Sequence, residues 1–282
     1  MHGERSKLSI LTAAFAAAGI AAGIVRALQL LRGFEPVSGL PVKGSPYGTV
    51  LTVASVLVLA AGGVLLLLSR KTAPALKLGS LGGAALVLLA LSSFFGCFGG
   101  ALYAASNLSP MNMLGVVMGI ALLISGLTLL HSARIAANGA EPNAVMLLPV
   151  LWGCLELILT YRDLSRSAAV SNYAYTVYGV IALILIFFAI AACAYRPCST
   201  LKLAITSLLG LFFTGLCGFG SLIQWLSEYG FRAFASATAI KYFVIPSFTM
   251  LYGFFAALGM LTLLMRPKRP SVDDLIDEGT DE

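Results

Sequence analysis

Two ionisable side chains stand inside long apolar runs, and they are the residues of this sequence best placed to do chemistry. Arg26 lies in Gly23-Ile24-Val25-Arg26-Ala27-Leu28, and Glu156 lies in Cys154-Leu155-Glu156-Leu157-Ile158. A charge at the centre of a membrane helix costs about 2.5–3.5 kcal/mol on insertion scales, and less toward the interface. Each of the two therefore calls for a partner or a purpose. Arg26 precedes Leu31, and Glu156 precedes Tyr161, by the same number of residues. At 1.5 Å rise per residue both sit roughly 7 Å below one interface. Opposite charges at matched depth predict an Arg26–Glu156 pair. A guanidinium there could hold an anion, and a carboxylate could serve as a proton-sensitive counter-charge.

Polar stripes extend from these charges. Trp152, Glu156, Thr160 and Asp163 follow i, i+4, i+8, i+11 spacing and share one helical face. Cys217, Ser221, Gln224 and Glu228 form a second stripe climbing toward the same interface. With Gln29, Arg162 and Lys241, they would gather in the outer third of a bundle if their helices adjoin. The candidate ligand-binding set is Arg26, Gln29, Glu156, Thr160, Asp163, Gln224 and Glu228. Buried polar groups demand hydrogen-bond partners, so the cluster is either a hydrogen-bonded plug or a pocket. A carboxylate pair using Glu156 and Asp163 would be the catalytic version, but nothing in the sequence specifies a substrate for it.

Other chemistries lack their residues. There is no G-x-x-x-x-G-K-[ST] loop for nucleotide phosphates and no H-E-x-x-H, and the histidines, His2 and His131, are far apart. Neither a histidine metal centre nor a Ser-His-Asp triad is legible, and no cofactor is implied. The five cysteines show no C-x-x-C spacing and read as small buried hydrophobes, with Cys193 and Cys198 the one pair worth a redox test. Asn107-Leu108-Ser109 fits a glycosylation sequon too short and common to carry weight.

These residues must be positioned by a membrane scaffold. The chain has 282 residues, 59% hydrophobic and 11% charged, with a mean hydropathy of +0.94. Soluble domains carry about 25% charged residues. The net charge of +6 is spread singly or in pairs between apolar runs, as in membrane flanks, so nucleic acid is not an expected partner. A bilayer core needs about 20 apolar residues per helix. Segments 8–31, 49–69, 78–104, 111–132, 144–162, 173–195, 200–226 and 241–265 meet that need. They are too long for strands and lack strand alternation. Breaks fall at Glu35-Pro36, Gly44-Ser45-Pro46, Ser109-Pro110, Glu141-Pro142 and Arg196-Pro197. The fold class is an all-α polytopic bundle of about eight transmembrane helices, one domain over 1–266. The acidic tail 267–282 is too short to order itself. The first segment resembles a signal peptide but continues past Ala27, which favours an uncleaved helix; cleavage would leave seven spans.

With a cytoplasmic N-terminus, the inside receives Arg5, Lys7, Arg70-Lys71, Lys77, Arg134, Arg196, Lys202 and the Arg266/Lys268/Arg269 cluster. The outside receives the smaller share: Arg26, Arg32, Lys43, Arg162, Arg166, Arg232 and Lys241. The positive-inside bias therefore favours both termini inside, in a plasma membrane of bacterial type. Tyr161, Tyr173, Tyr175, Tyr178, Trp225, Tyr229 and Tyr242 mark the outer interface.

Two patterns bear on assembly. Leu76-Lys77-Leu78 and a following Phe/Gly/Cys cluster echo Leu201-Lys202-Leu203 and Phe212–Gly220, suggesting two parallel four-helix repeats. Glycines at four-residue spacing, Gly19/Gly23, Gly79/Gly83, Gly96/Gly100 and Gly115/Gly119, read as packing grooves within the chain or as a face for a homo-oligomer. The loop from Arg32 to Tyr47 reads either as an ordered cap over the outer face or as a plain connector. Pro149 and Pro246 lie inside apolar segments, as in the broken helices of transporters. The leading functional expectation is binding or transport of a small polar or anionic solute through the outer cluster. The alternative is a non-catalytic membrane scaffold whose buried charges fix helix register.

Overall fold

The computed structural model describes residues 2–35, 40–68, 75–76, 83–108, 111–137, 144–165, 170–195, 198–236 and 239–265. Eight long helices follow in order: α1 His2–Arg32, α2 Tyr47–Leu68, α3 Gly83–Ser106, α4 Met113–Ala137, α5 Leu147–Leu164, α6 Val170–Tyr195, α7 Thr200–Glu228 and α8 Ile245–Leu264. They match the eight apolar segments because lipid leaves the backbone no partner but its own helix. Among the described residues, seven of them are long and apolar enough to cross a membrane, and α5 carries Glu156, Arg162 and Asp163. The chain is an integral membrane protein.

Helix ends follow local chemistry. Gly230, at φ 54, adopts the left-handed conformation that stops α7, and Trp225 Nε1 donates to its carbonyl over 2.9 Å. Pro246 stands in the first turn of α8, directly after the π-turn Ile240–Val244. Pro149 likewise sits in the first turn of α5, after the 3-10 turn Ala144–Met146. Pro149 thus stands in the first turn of its helix, where it forfeits little, whereas Pro246 stands where a π-turn passes without a break into α8, an irregular helix.

Helices α7 and α8 form the centre. In α7 83% of the apolar span is buried, against 17% in α2. Around them run α1 and α2 against α7, α6 against α7 and α8, α5 against α6, α4 against α5, and α3 against α4 and α8. Tyr252 of α8 is fully buried at the hub: its hydroxyl lies 2.8 Å from Ser125 Oγ. Ser92 Oγ donates to the Tyr252 carbonyl at 2.6 Å. The Phe187 ring lies 4.6 Å away.

Three of the four glycine grooves are occupied inside the chain, while a Cβ at Gly83 would meet nothing within 4 Å. A Cβ at Gly19 or Gly23 would lie 3.0 Å from the Leu211 carbonyl or 3.1 Å from that of Gly215, so α1 is seated backbone-to-backbone on α7. A Cβ at Gly119 would strike the Ala104 backbone, and one at Gly100 would lie 2.7 Å from the Gly119 carbonyl, so the two glycines let α3 and α4 pack backbone to backbone. These faces are covered by the protein's own helices. Gly79 lies outside the described residues.

The four-helix repeat does not extend to packing. Its counterparts α3 and α7 have different surroundings: α3 lies on the rim between α4 and α8, α7 at the centre against α1, α6 and α8. What they share is local. Strands β1 (Ala75–Leu76) and β2 (Cys198–Ser199), just before these helices, pair antiparallel with Ala75 opposite Ser199. At this end of the bundle Cys193 is disulfide-bonded. The Cys198 side chain lies outside the described residues, as does the acidic tail 267–282.

Candidate functional site

At the opposite end, which we term upper, α1 and α7 finish while α2, α6 and α8 begin. Here Arg26 is only 4% exposed. Its side chain crosses Gly220 of α7, where an added Cβ would come within 2.8 Å of Arg26 Cγ. The missing side chain at 220 is what makes room for the arginine stem. Arg26 Nη1 donates to Gln29 Oε1 at 2.6 Å, one turn along α1. The guanidinium carbon lies 5.1 Å from the centroid of the Tyr175 ring, a cation–π contact that favours a desolvated cation.

Tyr175 is in turn held from two sides. Its carbonyl accepts from Cys217 Sγ of α7 at 2.9 Å. Its hydroxyl lies 3.1 Å from Thr52 Oγ1 of α2. Because Thr52 already donates its single hydroxyl hydrogen to the Gly48 carbonyl at 2.8 Å, Tyr175 is the donor of that bond. Four helices, α1, α2, α6 and α7, thus meet through one polar knot.

The knot closes the upper end of a cavity of 490 Å³, within the roughly 300–1,000 Å³ usual for small-molecule sites. Gln29, Gly48, Thr52 and Ser55 line it beside Tyr175, with Val56 and Leu59 further down α2. Ile181, Ala182 and Leu185 continue the α6 wall, and Thr206, Leu209 and Phe213 of α7 form the floor. The Gln29 amide is oriented: Arg26 occupies its oxygen, and its nitrogen faces Gly48, where a Cβ would lie 3.4 Å away. Ser55 Oγ is buried in this wall with no hydrogen-bond partner.

The loop between α1 and α2 roofs the cavity, as expected of a cap. Glu35 N donates to the Leu40 carbonyl and Val42 N to that of Gly33, both at 2.9 Å. Gly44, at φ 85, supplies the left-handed turn that returns the chain to α2. Pro41 and Ser45 line the cavity from above. Residues 36–39 lie outside the described residues.

No protein-family model, curated protein or solved structure matches this chain. The site therefore has to be read from its own geometry.

Of the residues expected to gather, Arg26 and Gln29 do. Glu156 does not join them. Helix α5 packs on α4 and α6, whereas α1 packs on α7 and α2, and Arg26 is answered by Gln29 and Tyr175. The expected Arg26–Glu156 pair fails because equal depth says nothing of angular position around the bundle. Thr160 is half-buried on the same α5 helix, and the Asp163 side chain lies outside the described residues. Gln224 Nε2 donates to Glu228 Oε1 at 3.2 Å on the exposed last turns of α7. Those two satisfy each other above the cavity level. Thr52, Ser55 and Tyr175 were not legible as site residues. Lone hydroxyls in apolar runs carry no spacing signal, and Tyr175 has the composition of an interfacial belt although it is buried.

Proposed function

We propose that this protein binds, or carries across the bilayer, a small solute with an anionic or acceptor-rich group. The site is the cavity bounded by α1, α2, α6 and α7. The supporting observation is the Arg26–Gln29 couple. A buried guanidinium fixes the amide so that its two N–H donors are presented beside Gly48, at the cavity wall. Oriented donors backed by a cation in a low-dielectric site suit an oxyanion. Burying such a cation without need is disfavoured. The Lys and Arg balance supports cytoplasmic termini, hence a cavity whose upper end faces outward.

The test is the unfolding temperature of the purified protein in mild detergent against inorganic phosphate, sulfate, citrate and glutamate. A bound solute at 100 times its Kd stabilises by about 2.7 kcal/mol. We expect at least one probe to raise the unfolding temperature of wild type and to lose that effect in Gln29→Ala. If oxyanion-bearing probes, soluble or lipid-linked, leave wild type unmoved, the scaffold reading replaces this one.

A further inference from the structure

The cavity has a graded wall and an open side, and together they narrow the class of its ligand. Down α2 the lining runs Gly48, Thr52, Ser55, Val56, Leu59; down α6 it runs Ala174, Tyr175, Tyr178, Ile181, Leu185. Both helices begin at the upper end, so both walls pass from polar to apolar in the same direction. From Gly48 to Leu59 the α2 wall descends roughly 16 Å at 1.5 Å per residue. That is about half of a hydrocarbon core ~30 Å thick, the depth of one leaflet.

The open side lies between α2 and α6. Val56 and Leu59 line the cavity yet are 58% and 52% exposed, and across the gap Leu185 is 49% exposed. The same residues thus form the cavity wall and the outer, apolar surface of the bundle. A molecule already in the bilayer meets such a mouth directly. Inside, Ser55 is 6% exposed, and its hydroxyl has no partner, unlike that of Thr52 one turn above.

We infer that the cavity takes a membrane amphiphile, an oxyanion headgroup on an alkyl chain, which reaches it sideways from the lipid through the gap between α2 and α6. This rests on the reading of the cavity as a ligand site. The headgroup meets the Gln29 amide at the upper end, with the Arg26 charge one layer behind. The chain lies along Val56, Leu59, Ile181 and Leu185 over the floor of α7. Phosphate and carboxylate share this chemistry, and only the probes separate them.

The experiment is native mass spectrometry of the full chain with four probes: lysophosphatidic acid, palmitate, hexadecanol and inorganic phosphate. Wild type, Gln29→Ala, Thr206→Trp and Ile181→Trp are compared, each checked for a folded, monodisperse peak in gel filtration. Thr206→Trp fills the apolar end, and Ile181→Trp obstructs the mouth from the lipid side, where a large side chain is tolerated. We expect one or both oxyanion amphiphiles to bind wild type, about tenfold more weakly to Gln29→Ala, and to be excluded by at least one tryptophan variant. Hexadecanol and phosphate alone should bind at least tenfold more weakly. If phosphate binds as tightly as the amphiphiles and still depends on Gln29, the solute reading stands and the amphiphile is overturned. If hexadecanol matches the anionic amphiphiles, or if no variant alters binding, the lipid is annular and the inference fails. If no probe binds, both readings fall.

Discussion

Arg26 is buried where α1 crosses Gly220 of α7, and its charge is met by Gln29 Oε1 and the face of Tyr175. An arginine in an apolar run announces itself by its cost, so its burial and its polar surroundings were legible before any fold was known. Its partner was not. Glu156 has the right sign and depth, but α5 meets α4 and α6, and the guanidinium is answered by Gln29 and the Tyr175 ring. A double-mutant cycle separates the two pictures. Arg26→Gln should destabilise the purified protein by about 1.5–3 kcal/mol, the range for a hydrogen bond to a charged group. Glu156→Gln should add independently, with a coupling below about 0.5 kcal/mol. A double variant that recovers the stability of wild type would restore the ion pair. Ser55→Ala should leave the melting temperature unchanged or raise it slightly, because the hydroxyl it removes is buried without a partner. A loss above 1 kcal/mol would mean the hydroxyl is bonded in solution.

Element boundaries were the most legible feature, since bilayer thickness fixes helix length and turn residues fix the breaks. Angular order was not, because Leu, Val and Ala look alike whether they face lipid or α7. The glycines were only half informative: their spacing marked close approach, but not that α3 would close on α4 and α1 on α7. Gly119→Leu should be among the most damaging changes, since any side chain there meets the Ala104 backbone; we expect loss of folded protein in gel filtration. Gly63→Leu, where an added Cβ meets nothing within 4 Å, is the control and should fold. At the hub, Tyr252→Phe should cost about 1 kcal/mol by leaving Ser125 without its hydroxyl partner, measured by chemical or thermal unfolding.

For the whole molecule, composition alone settled residence in the membrane, because so few charges cannot solvate so much apolar surface. Orientation hangs on loop charges, and Cys193 offers a check on it. It is disulfide-bonded at the end that the Lys and Arg balance places in the cytoplasm, where such bonds are kept reduced. Alkylation in intact cells followed by peptide mapping at Cys193 reads the redox environment of that end, and so the orientation. Protection that ends only with added reductant would put that end on the oxidising side and turn the molecule over. The cavity depends on neither orientation: its wall is set by α1, α2, α6 and α7. The most direct measurement is an experimental density map of the protein in a lipid nanodisc. A ligand site is expected to show elongated density between α2 and α6, its polar end within hydrogen-bond reach of Gln29. An α2 closed onto α6, with the Ser55 hydroxyl bonded to protein and no room between the helices, would contradict it.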